Sequence, residues 1–353
     1  MQRFNLYPPS NATEVSICED DQLGVGLTIS GLIFMYIIIT LSILGNILVC
    51  SVIFKYTSLQ TVSYYLVCSL AVSDMMVSVT VVPFDIVYWI YFPVWPLGGL
   101  ICNLWNSVFF LFLMASVFNL LAISTDRFIA IVYPLRYKEL MSFNVVKVII
   151  AFIWTYSIIT GIILFLVLIP PEKKVYSFEL PPAFHAFLLV VNVLIPFLIM
   201  IGFYFKIYVI ARRHAKRVGI ISNIPTDIRN VGDLIGRELR VAKALGIVVI
   251  TFVLCWLPFE IINIAILIDE GIENCAMEIA DTLSCWLAYL QTAVNPIIYA
   301  FSNTKFRKAF KKILFKGSND SFSEYRLTTV HRQQGASTIR ISTVRNTSDE
   351  GQP

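Results

Sequence analysis

Charge is scarce in this chain. Asp, Glu, Lys and Arg make up 14% of the 353 residues against 57% apolar residues, which excludes an ordinary soluble globular domain. Histidine is nearly absent, at three residues. No His or Cys ligand spacing, nucleophile elbow or phosphate-binding loop occurs, so an enzyme is not expected, nor a cofactor. Alternating ten-residue segments are missing, which argues against a membrane barrel. No internal repeat is found, which argues against a transporter or proton pump built from repeated halves. No apolar stretch precedes residue 27, so the expectation is an uncleaved chain whose first span is its own anchor.

What the chain has is seven long apolar runs, near 27–54, 61–90, 99–125, 148–169, 183–205, 244–268 and 282–301. Each exceeds the roughly 20 residues that cross a bilayer as helix. The expected fold class is an all-α membrane protein, a seven-transmembrane helix bundle over 27–302. Pro83, Pro196, Pro258 and Pro296 fall inside the runs and predict kinks. Basic residues set the orientation. Of the 27 Lys and Arg, only Arg3, Lys173 and Lys174 lie on the side of the N-terminus and the even-numbered loops. The positive-inside rule therefore puts residues 1–26 outside and the tail in the cytoplasm. A multi-pass plasma-membrane protein is expected, with Asn11 of the Asn11-Ala-Thr13 sequon as a glycosylation site. Residues 303–316 alternate Phe306, Phe310, Ile313 and Leu314 with lysines and an arginine. They predict a short amphipathic surface helix on anionic membrane lipid. Residues 317–353 are polar and read as a disordered cytoplasmic tail.

Two carboxylates sit near the centres of apolar runs, Asp74 and Glu260. A charge at that depth costs about 2.5–3.5 kcal/mol on insertion scales, so each needs a partner, water or a ligand, and each marks a functional site. Every run also carries a motif. Gly45-Asn46 is in the first, Leu70-Ala-Val-Ser-Asp74 in the second, Asp126-Arg127-Phe128 at the end of the third and Trp154 in the fourth. The fifth has Pro196 and Tyr204, the sixth Cys255-Trp256-Leu-Pro258 and the seventh Asn295-Pro296-Ile-Ile-Tyr299. In this order the motifs resemble the rhodopsin-like family of G-protein-coupled receptors over about residues 25–316.

The resemblance implies roles. Arg127 would pair with Asp126 and with Glu238 near the inner end of the sixth helix, holding helices three and six together at rest. Read without it, the pair is a surface ion pair worth under about 1 kcal/mol. Asp74, with Ser116, Asn119 and Asn295, would bind sodium as an allosteric ion. A buried carboxyl satisfied by hydrogen bonds, or a protonated acid, is the alternative. Trp256, Phe252 and Pro196 would form the packing switch below the ligand, and Tyr204 and Tyr299 would swing toward Arg127 on activation. Phe128 replaces the family's usual tyrosine, and Gln291 stands where the family has asparagine.

Helices six and seven are most similar to the biogenic-amine branch, through Trp256-Leu-Pro-Phe259 and Trp286-Leu-Ala-Tyr289. Yet the branch's helix-three aspartate, 18 residues before the arginine, is Phe109 here, and Leu188, Leu189 and Asn192 replace its helix-five serines. Glu260 is the expected replacement counter-ion for an amine, with Asp85 the lesser candidate. Phe109, Phe110, Phe259, Trp286 and Tyr289 would wall the pocket and offer cation–π faces. Asn263 matches a residue that adenosine receptors use, so a nucleoside stays open, as does a short peptide. Glu260 can also be an acid hydrogen-bonded to Asn263 or His185 without touching a ligand.

The family's disulfide joins the Cys102 position to the second outer loop, but residues 170–183 contain no cysteine. Cys18, Cys102 and Cys275 are left as candidates on the oxidising side, as a Cys18–Cys275 or a Cys18–Cys102 bridge. The partners implied are an extracellular small molecule, a heterotrimeric G protein and, through the Ser- and Thr-rich tail, receptor kinases and arrestin. No nucleic acid is implied, and no metal beyond sodium.

Overall fold

The fold was taken from a computed structural model, which describes residues 21–91, 95–168, 181–218, 226–268 and 275–315. The described secondary structure is helical throughout. In a bilayer core this follows from backbone chemistry, because a helix satisfies its own N–H and C=O groups where no water can. The first span is α1 (Asp21–Lys55), and the second is split into α2 (Val62–Thr80) and α3 (Val82–Tyr91). The third is α4 (Gly99–Val132), followed by a one-turn α5 (Tyr137–Leu140) and the fourth span α6 (Phe143–Val167). The fifth joins α7 (Pro182–Leu189) through a wide π-turn (Val190–Leu194) to α8 (Ile195–Val218). The sixth is α9 (Thr226–Ile268), the seventh α10 (Cys275–Ser302), and α11 (Thr304–Phe315) follows after one residue.

Six of these helical spans are long and apolar enough to cross a membrane. The seventh, α10, falls short by composition, because Gln291, Thr292 and Asn295 lie within it, and all three side chains are buried. Its polarity faces the bundle, where α10 packs against α9 and α1. The other difference is at the start: α1 begins at Asp21, ahead of the apolar run near 27–54.

The pillar of the bundle is α4. It packs against α2, α6, α8 and α9, and 67% of its apolar stretch is buried, against 28% for the peripheral α6. The outward faces of α6 and α8 present Phe152, Ile158, Leu166, Leu198 and Phe205, as lipid-facing surfaces must.

The prolines explain the irregularities. Proline removes the N–H that would bond to the carbonyl four residues back. At Pro296 that carbonyl belongs to Thr292, and Asn46 Nδ2 of α1 donates to it at 2.9 Å. Gly45 permits the approach, since a Cβ there would meet the Pro296 ring at 2.8 Å. The Gly45-Asn46 and Asn295-Pro296 motifs are thus two halves of one contact. Pro83 follows the break between α2 and α3, where Trp105 Nε1 donates to the Val81 carbonyl at 3.2 Å. Pro196 follows the π-turn, which widens the helix around the carbonyl of Asn192.

Candidate functional site

Three polar or aromatic centres lie along the spans. At one end of the bundle, Arg127 is 4% exposed and Asp126 fully buried. The guanidinium donates Nε to Asp126 Oδ2 at 2.9 Å and Nη1 to Glu238 Oε2 of α9 at 2.8 Å. Its Nη2 donates to the Ser63 hydroxyl of α2, and the Tyr137 hydroxyl donates to Asp126 Oδ1 at 2.7 Å. Burial, then the adjacent Asp126 charge, push the Tyr137 phenol up, so it stays a proton donor at neutral pH. Spans two, three and six and α5 therefore meet at one cation. Tyr204 and Tyr299 are not among its hydrogen-bond partners. The Tyr204 ring lies against Gly246, where a Cβ would come within 2.8 Å of it, and Tyr299 stacks on Phe306 of α11 at 5.6 Å.

In the middle, Asp74 is fully buried. Asn295 Nδ2 donates to its Oδ2 at 2.7 Å and the Ser116 hydroxyl to its Oδ1 at 3.5 Å. Asn119 donates to the Ala115 carbonyl of its own helix. The side-chain oxygens of Asn119, Asn295 and Asn46 are buried without a donor. A carboxylate among surplus oxygen acceptors is a donor set that fits a hard monovalent cation. Above this cluster Phe252 stacks on Trp256 at 5.9 Å, and Trp256 meets Phe109 at 6.0 Å.

At the opposite end, a cleft of about 580 Å³, its open mouth included, lies between spans three, five and six. Phe109, Phe110, Phe259 and Glu260 line it together. Trp286, Tyr289 and Asp85 do not. They belong to a second cluster between spans one, two and seven. There Trp286 stacks on Phe34 at 5.8 Å and meets Trp89 edge-on at 6.3 Å. Asp85 is fully buried beside Tyr289 and Cys285. Trp286 reaches so far toward span one because Gly31 leaves room, as a Cβ there would lie 2.3 Å from the indole. Of the residues the amine-branch resemblance implies for a pocket, Trp286, Tyr289 and Asp85 thus pack in this second cluster.

The span-five wall of the cleft, His185, Leu188, Leu189, Asn192 and Val193, is not part of the expected ligand set. Leu188, Leu189 and Asn192 of this wall stand where the resemblance puts the amine branch's serines, and a π-turn precedes Pro196. Cys102 is fully buried, and its sulfur accepts from Asn106 Nδ2 at 3.7 Å. Asn11 and Cys18 lie outside the described residues, as do the side chains of Cys275 and Asn263 and the whole tail beyond residue 315.

The family described as 7 transmembrane receptor (rhodopsin family) matches residues 45–299. The alpha-1A adrenergic receptor of Oryzias latipes is 31% identical over 311 residues, which cover 79% of this chain and 65% of that receptor. The chain thus spans just under two thirds of that relative's length. The alpha-1A adrenergic receptor of Homo sapiens is 28% identical over 346 residues, 88% of this chain and 73% of that receptor. The octopamine receptor beta-2R of Chilo suppressalis is 30% identical over 313 residues, 79% of this chain and 78% of that receptor.

Proposed function

This chain belongs to the rhodopsin family of seven-transmembrane receptors, multi-pass membrane proteins, and on that premise we propose that it converts binding of a small extracellular cation into heterotrimeric G-protein activation. The observation that carries the reading is the pairing of two features on the same two spans. Spans three and six are bridged at one end by the 2.8 Å bond from Arg127 to Glu238 and enclose a cleft at the other end. A ligand that favours a wider separation of the inner ends shifts a pre-existing equilibrium and opens a docking face.

Amines are the favoured ligand class. Relatives named for adrenergic and octopamine reception match this chain, and Glu260 puts a carboxylate among the cleft's aromatic rings. Glu260 is the counter-ion, and Phe109, Phe110 and Phe259 supply cation–π faces. Asp74, Ser116, Asn119 and Asn295 hold sodium at rest, and Phe252 and Trp256, above Pro196, relay ligand contact to the inner clasp. The N-terminus faces outward with Asn11 glycosylated, α11 lies on the inner leaflet, and the tail from 317 to 353 serves kinases and arrestin.

The test is a panel of biogenic amines on cells carrying the full chain, read by G-protein activation. At least one amine should activate, and a panel without any response contradicts the amine reading. Sodium should lower the active amine's affinity about fivefold or more, a coupling of the usual allosteric size. Binding to Asp74→Asn should be insensitive to sodium. Equal sodium sensitivity in both proteins would remove the ion from Asp74.

A further inference from the structure

Two cysteines face each other across spans one and two. Cys50 lies on α1, five residues before its end at Lys55, and Cys68 lies on α2, six residues after its start at Val62. At a rise of about 1.5 Å per residue, both sit roughly 8–9 Å inside the helix ends, within the apolar part of each span. The Cys68 thiol donates to the Cys50 sulfur at 3.3 Å, and the Cys50 thiol donates to the Cys68 carbonyl at 4.0 Å. Each cysteine thus spends its proton on the other. The pair belongs neither to the Arg127 clasp, nor to the Asp74 cluster, nor to the cleft.

The two thiols differ in access. Cys68 is buried and Cys50 is half-buried. Ile47 and Phe54, three residues before Cys50 and four after it, share its helix face and are exposed. That face of α1 is turned to lipid. Phe54 also meets Tyr65 of α2 edge-on at 6.5 Å, which holds the two helices together one turn from the sulfurs. A disulfide bond is about 2.05 Å long. The sulfurs, 3.3 Å apart, need to close by little over an ångström, which side-chain rotation can supply. A metal ion suits the pair less well. Among the described residues no group of three or more His, Cys, Asp or Glu could hold one, whereas a structural zinc takes four ligands.

We propose that Cys50 and Cys68 form a modification site: a hydroperoxide dissolved in the lipid oxidises them to a disulfide that ties span one to span two. Cys50, the thiol that reaches lipid, attacks first. Its sulfur bonds to the terminal peroxide oxygen, the O–O bond breaks, and the alkoxide leaves with the thiol proton as an alcohol. Cys50 is then a sulfenic acid. The Cys68 sulfur bonds to the Cys50 sulfur, and the hydroxyl leaves with the Cys68 proton as water. Overall the hydroperoxide is reduced to an alcohol and water, and two thiols are oxidised to one disulfide. An accessible thiol beside a resolving thiol is the arrangement this chemistry uses. Apolar surroundings slow attack on oxidants carried by water, whereas a lipid-borne oxidant is concentrated on the face where Cys50 is open. The inference is independent of the cleft and of the ligand it takes.

The experiment uses the full chain in cell membranes. They are treated with cumene hydroperoxide, which partitions into lipid, or with hydrogen peroxide at the same concentration, which stays in water. Remaining thiols are blocked, and unreduced chymotryptic peptides are read by mass spectrometry. Cleavage after Leu48, Phe54, Leu66 and Leu70 isolates each cysteine on a short peptide, away from Cys18 and Cys102. Cumene hydroperoxide should join the Cys50 and Cys68 peptides, and a dithiol reductant should release them. Hydrogen peroxide should give less of the joined product. Dimedone, which traps sulfenic acids, reads the order of attack. Cys68→Ser lacks the resolving thiol, so Cys50 should carry the trap after cumene hydroperoxide. In Cys50→Ser, Cys68 should stay unlabelled. The joined product is measured in the unmodified chain, so the test holds even where a variant fails to reach the surface. Absence of that product overturns the proposal, and so does an equal or greater yield with hydrogen peroxide. A trap on Cys68 in Cys50→Ser, with none on Cys50 in Cys68→Ser, overturns it as well.

Discussion

Glu260→Gln should lower amine potency about 10- to 100-fold while leaving surface expression intact. A charge-assisted hydrogen bond contributes about 1.5–3 kcal/mol, and about 1.4 kcal/mol is a factor of ten in affinity. Glutamine keeps the size and a hydrogen-bonding end but loses the charge, so the change isolates the ion pair. The effect should be concentrated there because Glu260 is the acidic residue lining the cleft, with Phe109 in the place where the amine branch carries its aspartate. Asp85→Asn should change potency by less than about threefold, as expected for a residue without direct ligand contact. That carboxyl is buried beside Tyr289 and Cys285, away from the cleft. Dose–response curves for the two variants separate the possibilities. Undiminished potency in Glu260→Gln with a large loss in Asp85→Asn would move the amine to the span-two cluster.

Glu238→Gln should raise signalling without ligand about 5- to 30-fold, the shift that about 1–2 kcal/mol produces in a two-state equilibrium. The estimate is held below that of a sealed ion pair because Glu238 is 27% exposed and partly screened. The direction follows from geometry: the Arg127–Glu238 bond joins span three to span six, whereas the Asp126 and Ser63 bonds to the same guanidinium do not involve span six. Losing Glu238 frees span six and leaves Arg127 satisfied, so the protein should still fold. Arg127→Ala is a poorer test, because it strands the buried Asp126 carboxylate with the Tyr137 hydroxyl as its remaining donor. Basal G-protein activity per receptor at the surface is the measurement. A basal level equal to that of the unmodified receptor would show that the bond does not restrain the resting state.

Much of the architecture is legible in the sequence because lipid imposes a simple rule. All seven spans announce themselves as apolar runs, and α10 gives the weakest signal because its inward polar residues dilute it. The joining of Asn46 to the Thr292 carbonyl is also implicit, since Pro296 must free that acceptor. The pocket is less legible. Phe109, Phe110, Phe259 and Glu260 share a cleft, but Trp286, Tyr289 and Asp85 are drawn into another cluster. No helical periodicity tells an inward aromatic that meets a ligand from one that packs against a neighbouring span. Gly31, which admits Trp286, carries no distinguishing pattern. The span-five wall depends on a π-turn whose extra residue resets the face of every position before it.

The account turns on spans three and six separating at their inner ends when the outer cleft fills. The direct measurement is the distance between labels placed as non-natural side chains at Arg136, beyond span three, and Lys243, on span six, both exposed in the resting structure. It should be read in membranes with and without an activating amine, in the unmodified protein and in Glu238→Gln. The amine should lengthen the distance in the unmodified protein, and Glu238→Gln should be partly lengthened before any amine is added. A distance that stays the same in all four conditions, while the amine still activates the G protein, would contradict the account.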